Sequence, residues 1–285
     1  MRFDSGRVEV IIVDDGGPDA LAPLVSGFCE GLTIRLVRKF NGGPASARNA
    51  GAAVARGRFL AFIDDDCVPS PEWIGSLISV LENRPDALAG GPVVNGLPDN
   101  PYAAASQRVA TFVAKHYAEG RGAERFFTAN NFTLSAKCFR ELGGFDETIP
   151  SWTAEDKEFC DRWRQCGYAM VWVPGAMVHH AHALTLRRFV RQHFEYGRGI
   201  LAFRLRRRNR KGKRLVPETA RFYSALVLHP LWQERHPRAL MTVLLLTLSQ
   251  AATIAGAITS ALADRPRKKG DKGAVTQPVS LVEGV

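Results

Sequence analysis

Two short apolar runs each end on a cluster of aspartates, and this pairing constrains the fold more than any other feature of the chain. Phe59-Leu60-Ala61-Phe62-Ile63 runs into Asp64-Asp65-Asp66, and Val8-Glu9-Val10-Ile11-Ile12-Val13 runs into Asp14-Asp15. Apolar runs of this length read as strands of a buried parallel sheet. In an open α/β sheet the C-terminal strand ends share one edge, and that edge is where ligands bind. Five carboxylates would then converge on one crevice, and adjacent like charges need an offset. A divalent cation on a phosphate-bearing molecule would supply one. A solvated acidic turn capping the next helix is the plainer alternative for the aspartate triplet alone.

The segments between these runs alternate in period. Residues 32–37 read as a further strand, and residues 19–29 as a helix before it. Asn41-Gly42-Gly43-Pro44 is a turn that opens an alanine-rich helix over residues 45–56. Pro71 marks a helix start, followed by Trp73, Ile74, Leu77, Ile78 and Leu81 at helical spacing. Residues 126–135 and 169–173 read as strands, and residues 154–165 as a helix stopped by Gly167. The pattern turns helical and basic from Leu184 onward. The expected class is α/β: a mixed, mainly parallel sheet flanked by helices, with a C-terminal helical appendage.

Composition narrows the class. The chain has 285 residues, 46% of them apolar, enough for one large α/β domain and an appendage. Its five cysteines are scattered with no CxxC pair, so neither a zinc site nor a disulfide framework is indicated. A reducing, cytosolic setting fits the main domain. Residues 1–7 do not form a signal peptide, because no apolar region follows a basic start. Residues 1–182 carry a net charge of −4, whereas residues 183–285 carry +14. A uniformly basic chain would point to nucleic acid; an acidic domain with a basic, partly apolar tail points to a membrane surface.

Three further constellations bear on chemistry. Asn41 to Asn49 places a glycine turn and a helix N-terminus at the aspartate edge, where backbone N–H groups suit an anion and Arg48 adds a cation. An ordinary capped amphipathic helix is the alternative. Glu155-Asp156 opens a helix, where paired acids answer the macrodipole or place a general base near the crevice. His179-His180-Ala181-His182 follows a strand-like run and offers metal ligands, or simply a polar turn. Trp152, Trp163 and Trp172 read as core or rim aromatics, with an aromatic wall for a sugar ring as the other use.

Taken in order, these pieces resemble the family 2 nucleotide-sugar glycosyltransferases of the GT-A fold. The matching residues are Val10 to Gly17, Asn41 to Gly51, Phe62 to Asp66 with Pro69, Gly143-Gly144-Phe145-Asp146-Glu147 and Glu155-Asp156. The resemblance covers about residues 8–200. It implies an inverting transfer of a sugar from a nucleotide-diphosphate sugar to an acceptor hydroxyl, with Mn²⁺ or Mg²⁺. Asp14, Asp15, Asn41, Arg48, Asp64 and Asp65 would bind the donor. Asp66 and His180 would hold the metal, and Asp156 would deprotonate the acceptor. Asn130, Asn131, Trp152 and Glu155 would line the acceptor pocket.

One departure accompanies the match. Relatives begin with an apolar strand and a Pro-Thr/Ala-Tyr-Asn type turn that shapes the nucleobase pocket, and only seven residues precede Val8. The expectation is a chain lacking that strand, in which an upstream extension would improve donor binding. A catalytically inactive relative is then one alternative. Two others start from the acidic motifs: a phosphoreceiver domain on Asp14-Asp15, and a haloacid-dehalogenase-like phosphatase on Asp64-Asp65-Asp66-Cys67-Val68. The first lacks its strand-end Lys-Pro pair, and the second its downstream Gly-Asp-x-x-x-Asp signature.

The expected organisation is a glycosyltransferase domain over residues 1–200, a basic helical segment over 201–238, a transmembrane or membrane-associated helix over 239–263, and a disordered tail over 264–285. Residues 204–214 hold eight Lys and Arg, while residues 239–263 hold no charge. A charge-free run of that length can span a bilayer, and basic residues at both ends leave its orientation open. The implied acceptor is a lipid-linked or cell-envelope glycan. The implied location is the cytoplasmic face of the cell membrane, peripheral or single-span.

Overall fold

The computed structural model describes residues 5–26, 32–119, 126–149, 153–211, 218–233 and 238–263. In chain order the elements are β1 (Glu9–Asp14), α1 (Ala22–Ser26), β2 (Thr33–Arg38), α2 (Pro44–Val54), β3 (Phe59–Phe62), β4 (Cys67–Pro69), α3 (Trp73–Asn83), β5 (Leu88–Gly90) and β6 (Val93–Asn95). There follow α4 (Pro101–Glu119), β7 (Phe132–Ser135), α5 (Ala136–Leu142), α6 (Glu155–Gln165), β8 (Met170–Trp172), β9 (Val178–His180), α7 (Leu186–Lys211), α8 (Ala220–Gln233) and α9 (Arg238–Ala263). The tail over 264–285 and Trp152 lie outside the described residues.

The strands are mixed in direction. β1 and β2 pair in parallel as one ribbon. A second sheet has the order β3-β7-β5-β8, with β7 antiparallel to both of its neighbours and β5 parallel to β8. A third has the order β4-β9-β6. Among the described residues β1 and β3 do not pair with each other. Their C-terminal ends nevertheless face the same cleft, because α2 packs on β1 and its Ala52 joins the core that contains Leu60 and Phe62 of β3.

That core is aromatic. Phe62 meets Phe132, Phe139 and Phe145 at centroid distances of 5.6, 5.4 and 5.4 Å. Phe159 and Trp163 of α6 continue the stack at 6.1 Å. Such contacts hold α6, and hence Glu155-Asp156, rigidly against β3 and β7. On the other side, Trp73, Leu77 and Leu81 of α3 pack on Ala87, Ala89 and Val178, the face predicted from their spacing.

The strand expected over 126–135 is shorter than its composition implied. Only Phe132–Ser135 pairs, and Ala129–Asn131 forms a 3-10 turn closed by Asn131 N–H donating to Thr128 O at 2.9 Å. The turn sends the two neighbouring asparagines in different directions, which matters for the site.

Candidate active site

The glycine turn after β2 is organised by Asp15. Its carboxylate accepts from Gly42 N–H at 3.0 Å, Gly43 N–H at 2.7 Å and Lys39 Nζ at 2.6 Å. The Asn41 side-chain amide donates to Asp15 O at 3.0 Å. Asp15 and Asn41 therefore meet where the sequence placed them. Lys39 was not anticipated, since nothing local marks a lysine as the partner of a carboxylate so far back in the chain. Asp14 behaves differently: it is buried, accepts from Gly17 N–H at 2.7 Å and faces Arg38 Nε at 3.4 Å. Its carboxylate holds the β1 turn at the edge of the cleft, beside the position the sequence reading gives it toward the donor.

Arg48 joins the two halves of the site. On the inner side of α2, it donates to Asp64 Oδ1 at 2.7 Å and to Glu155 Oε1 at 2.8 Å. Burial opposes its charge, and the Asp64 and Glu155 carboxylates outweigh burial, so the guanidinium stays charged. The two carboxylates are thereby held close to each other. Replacing Arg48 by methionine would leave both facing one another without a cation, at a cost of about 3 kcal/mol. Burial, then the Asp156 charge, pushes the Glu155 carboxyl up to about 7. A raised folded pKa penalises only the ionised form, so the penalty is absent below the ordinary carboxylate range and complete above about 7. The stability deficit of Arg48→Met, read by thermal unfolding, is therefore expected to shrink as pH falls through 7. A deficit independent of pH would contradict this role.

Asp156 opens on the cleft beside Glu155. Its Oδ1 accepts from Lys157 N–H at 2.7 Å, and burial raises its pKa. α6 begins after Ala154 at φ +82°, a left-handed conformation unusual for alanine. α7 fixes that turn from behind. A Cβ on Gly199 would fall 2.1 Å from Thr153 O, so only glycine permits this approach.

Asp66 faces the histidines of β9 and the residues after it. Its Oδ2 lies 3.1 Å from His180 Nε2, and the His180 and His182 rings are 5.0 Å apart. The hydrogen bond to His180, outweighing burial, holds the Asp66 carboxyl below its usual range. Burial opposes protonation of His180, and Asp66 outweighs it, raising that pKa. Ligand atoms of Asp66, His180 and His182 all lie within 4.8 Å of one another. One carboxylate and two imidazoles on one side of a cleft are a donor set that suits a divalent first-row ion. His182 enters the group although the sequence singled out His180. Asp65 is exposed and lines the same cleft.

The asparagines divide as the 3-10 turn dictates. Asn131 is fully buried, accepts from Trp73 Nε1 at 2.8 Å and donates to Pro92 O and Ala176 O at 3.0 and 2.9 Å. Its side chain fastens the core, and of the two asparagines expected at the acceptor pocket only Asn130 lines the cleft. Asn130 lines the cleft with its Oδ1 unpartnered. Glu155 Oε2, Gln192 Oε1 and both ring nitrogens of His193 are likewise buried, unpartnered and on residues lining the cleft. Burial pushes the His193 imidazole down to about 4, so it is neutral at pH 7. Gln192 Nε2 donates to Tyr196 Oη at 2.6 Å. Nothing in the sequence marks these α7 residues, because only their register against α6 gives them a role.

The cleft, of about 3050 Å³, thus contains a glycine turn at a helix N-terminus, an Asp/His/His cluster and a buried carboxylate pair. On this α/β frame they lie as in the GT-A fold, the fold of nucleotide-sugar glycosyltransferases. The same fold occurs in a mannosyltransferase from Pyrobaculum calidifontis in complex with GDP-Man and Mn²⁺, with a TM-score of 0.60 and 17% identity, covering 92% of this chain and 80% of that one. The family profile for glycosyl transferase family 2 matches residues 2–143, and that for the N-terminal domain of galactosyltransferase matches residues 110–184. The chain belongs to glycosyltransferase family 2. It is 30% identical to a pre-mycofactocin glycosyltransferase of Mycobacterium tuberculosis over 203 residues, 67% of this chain and 41% of that protein. It is also 30% identical to a hyaluronan synthase of Pasteurella multocida over 205 residues, 60% of this chain and 21% of that protein. The chain thus spans less than half the length of either relative.

Proposed function

We propose that this protein transfers a sugar from a nucleotide-diphosphate sugar to an acceptor hydroxyl with inversion at the anomeric carbon. The observation that carries the reading is Arg48: it ties the acidic strand end at Asp64 to the carboxylate pair at Glu155-Asp156, with the Asp66 cluster in the same cleft. Family membership supports it, as does the Mn²⁺ and nucleotide sugar bound by the mannosyltransferase of like fold.

The chain's own residues divide the work. Asp15, which gathers the Gly42 and Gly43 N–H groups and Lys39, shapes the donor end together with Asn41. Asp65 faces the donor ribose or sugar. Asp66, His180 and His182 would hold Mn²⁺ or Mg²⁺, which offsets charge building on the leaving diphosphate. Asp156 takes the proton of the acceptor hydroxyl as its oxygen bonds to the anomeric carbon. The bond from that carbon to the diphosphate breaks on the opposite face, and its electron pair leaves with the diphosphate. One displacement inverts the centre. Asn130, with Gln192 and His193, offers hydrogen bonds to the acceptor beside Asp156. The acceptor is a glycan, lipid-linked or of the cell envelope, met at the cytoplasmic face of the membrane.

The test is transfer from a panel of nucleotide sugars, following released nucleotide and the anomeric configuration of the product by NMR. Retention of configuration, or donor turnover equally fast in chelator, would overturn the reading. The pH profile adds a sharper check. A base must be ionised to act, and burial raises both members of the carboxylate pair, which titrates as a unit. The acid limb of kcat/KM should therefore fall nearer pH 7 than the ~4 of an ordinary carboxylate. A limb near 4 would mean that the base is an exposed group.

A further inference from the structure

α9 carries two apolar faces, and only one of them is covered. Leu246, Ser249, Ala252 and Gly256 are buried, whereas Leu240, Leu244, Leu248, Ile254, Ile258 and Leu262 are exposed, Leu244 by 70%. Residues Ala239–Ala263 have a mean hydropathy of 1.7 and no charged side chain. The exposed residues recur at helical spacing along the whole element, roughly 39 Å at 1.5 Å per residue. A stripe so long, apolar and free of charge exceeds the scattered exposure normal for a soluble surface.

The covered face decides how the helix can meet a membrane. α7 and α9 are the most extensively packed pair of elements in the fold. A Cβ on Gly197 would lie 1.9 Å from Thr253 O, and one on Gly256 would lie 1.9 Å from Phe194 O, so the two backbones touch at glycine on both sides. α7 contains ten Lys and Arg residues and one Glu. Were α9 to cross a bilayer in this packing, it would carry the charges of α7 into hydrocarbon, where isolated charges are expensive. Arg187, Arg188 and Arg191 are exposed at the start of α7, as is Arg221 near the start of α8. Basic residues also flank α9 in sequence on both sides. That setting matches the anionic headgroups of a phospholipid surface rather than an apolar protein groove.

We propose that α9 lies in the plane of an anionic bilayer, its exposed stripe sunk into the headgroup boundary, and does not cross it. This rests on the membrane part of the proposed function, deepens it and resolves it against a single span. It also orients the cleft. Ile254 of α9 lines the cleft together with Ile200 and Phe203 of α7 and Phe222 and Leu226 of α8. An apolar wall therefore leads from the docked helix toward Asp156, the path an amphiphilic acceptor held in the bilayer would take.

The test uses the full chain with an epitope at each end. The protein should float with vesicles of phosphatidylcholine and phosphatidylglycerol in equal parts, and less with phosphatidylcholine alone. Leu244→Glu with Ile258→Glu should abolish flotation while leaving the thermal midpoint unchanged, since both side chains are exposed. In sealed membrane vesicles of known sidedness from expressing cells, protease should reach both epitopes from the same side. Epitopes on opposite sides would establish a span and overturn the proposal. So would absence of flotation, or a lipid-free dimer that the double variant converts to monomer, which would assign the stripe to a second copy. Donor binding measured on the same preparations separates this outcome from failure of the transferase reading.

Discussion

Asp156→Asn is expected to lower turnover by about 10²–10⁴-fold, the range for loss of a positioned general base, while donor affinity stays close to that of the parent. The asymmetry follows from where Asp156 sits. Its Oδ1 accepts from the Lys157 N–H at the start of α6, whereas the donor end is built from the Asp15 turn and the Asp66 cluster. Asparagine keeps that acceptor and the side-chain volume, so α6 should remain in place. What it removes is the capacity to take a proton. Glu155 keeps its Oε1 on Arg48 at 2.8 Å, so only its Oε2 is open, and any activity left in Asp156→Asn should vanish in Glu155→Gln with Asp156→Asn. Single-turnover kinetics alongside calorimetric donor binding make the separation. Near-parental transfer in Asp156→Asn would remove Asp156 as the base; loss of donor affinity in parallel with rate would make it a binding residue.

Asp66→Ala is expected to act on the opposite step. Removing an outer-shell partner of a metal ligand typically costs 10–100-fold in affinity, so loss of a direct ligand should cost about 100-fold or more in Mn²⁺-supported donor binding. The variant also frees His180, whose raised pKa depends on the Asp66 carboxylate. Without that partner, His180 should titrate lower, which NMR of the imidazole can follow. The fold should tolerate the change, since Asp66 is only half-buried and its backbone carbonyl, which accepts from Ala181 N–H at 2.7 Å, is untouched. Donor binding that keeps its full Mn²⁺ dependence in Asp66→Ala would exclude the Asp66 cluster as the metal site.

The two variants touch residues that differ in how plainly the sequence shows them. The acidic ends of β1 and β3 were legible because a buried strand leaves a distinct apolar run. Carboxylates crowded at the end of such a run also repel one another unless a cation holds them together. α3 was legible from its spacing, and α6 from its acidic first turn. The region between them was less so. α4 is hidden because its composition is mixed and its face is defined by α7 and α9 rather than by local periodicity, and α8 falls inside the stretch expected to be helical without local signals that mark its ends. Asn130 and Asn131 read alike as a pair, yet a 3-10 turn points one into the cleft and the other into the core. Gln192, His193 and Tyr196 are concealed inside a stretch that reads as a basic helix. Their placement depends on the glycine-mediated approach of α7 to Thr153, a contact between Gly199 and a residue far back in the chain. Asp14 differs from Asp15 in a way the sequence does not show: its carboxylate is buried at the β1 turn and accepts from Gly17 N–H.

Central to the proposed function is that the cleft binds a nucleotide-diphosphate sugar through a divalent cation held at Asp66. Thermal melting of the full chain against a panel of nucleotide sugars, with and without Mn²⁺, tests it most directly. A ligand present at about 100 times its Kd stabilises the folded state by about 2.7 kcal/mol, enough to read as a clear rise in Tm. At least one nucleotide sugar is expected to raise the Tm in Mn²⁺ and to fail to do so in chelator. A panel in which no nucleotide sugar shifts the Tm in Mn²⁺, or in which the shift is the same in chelator, would contradict it.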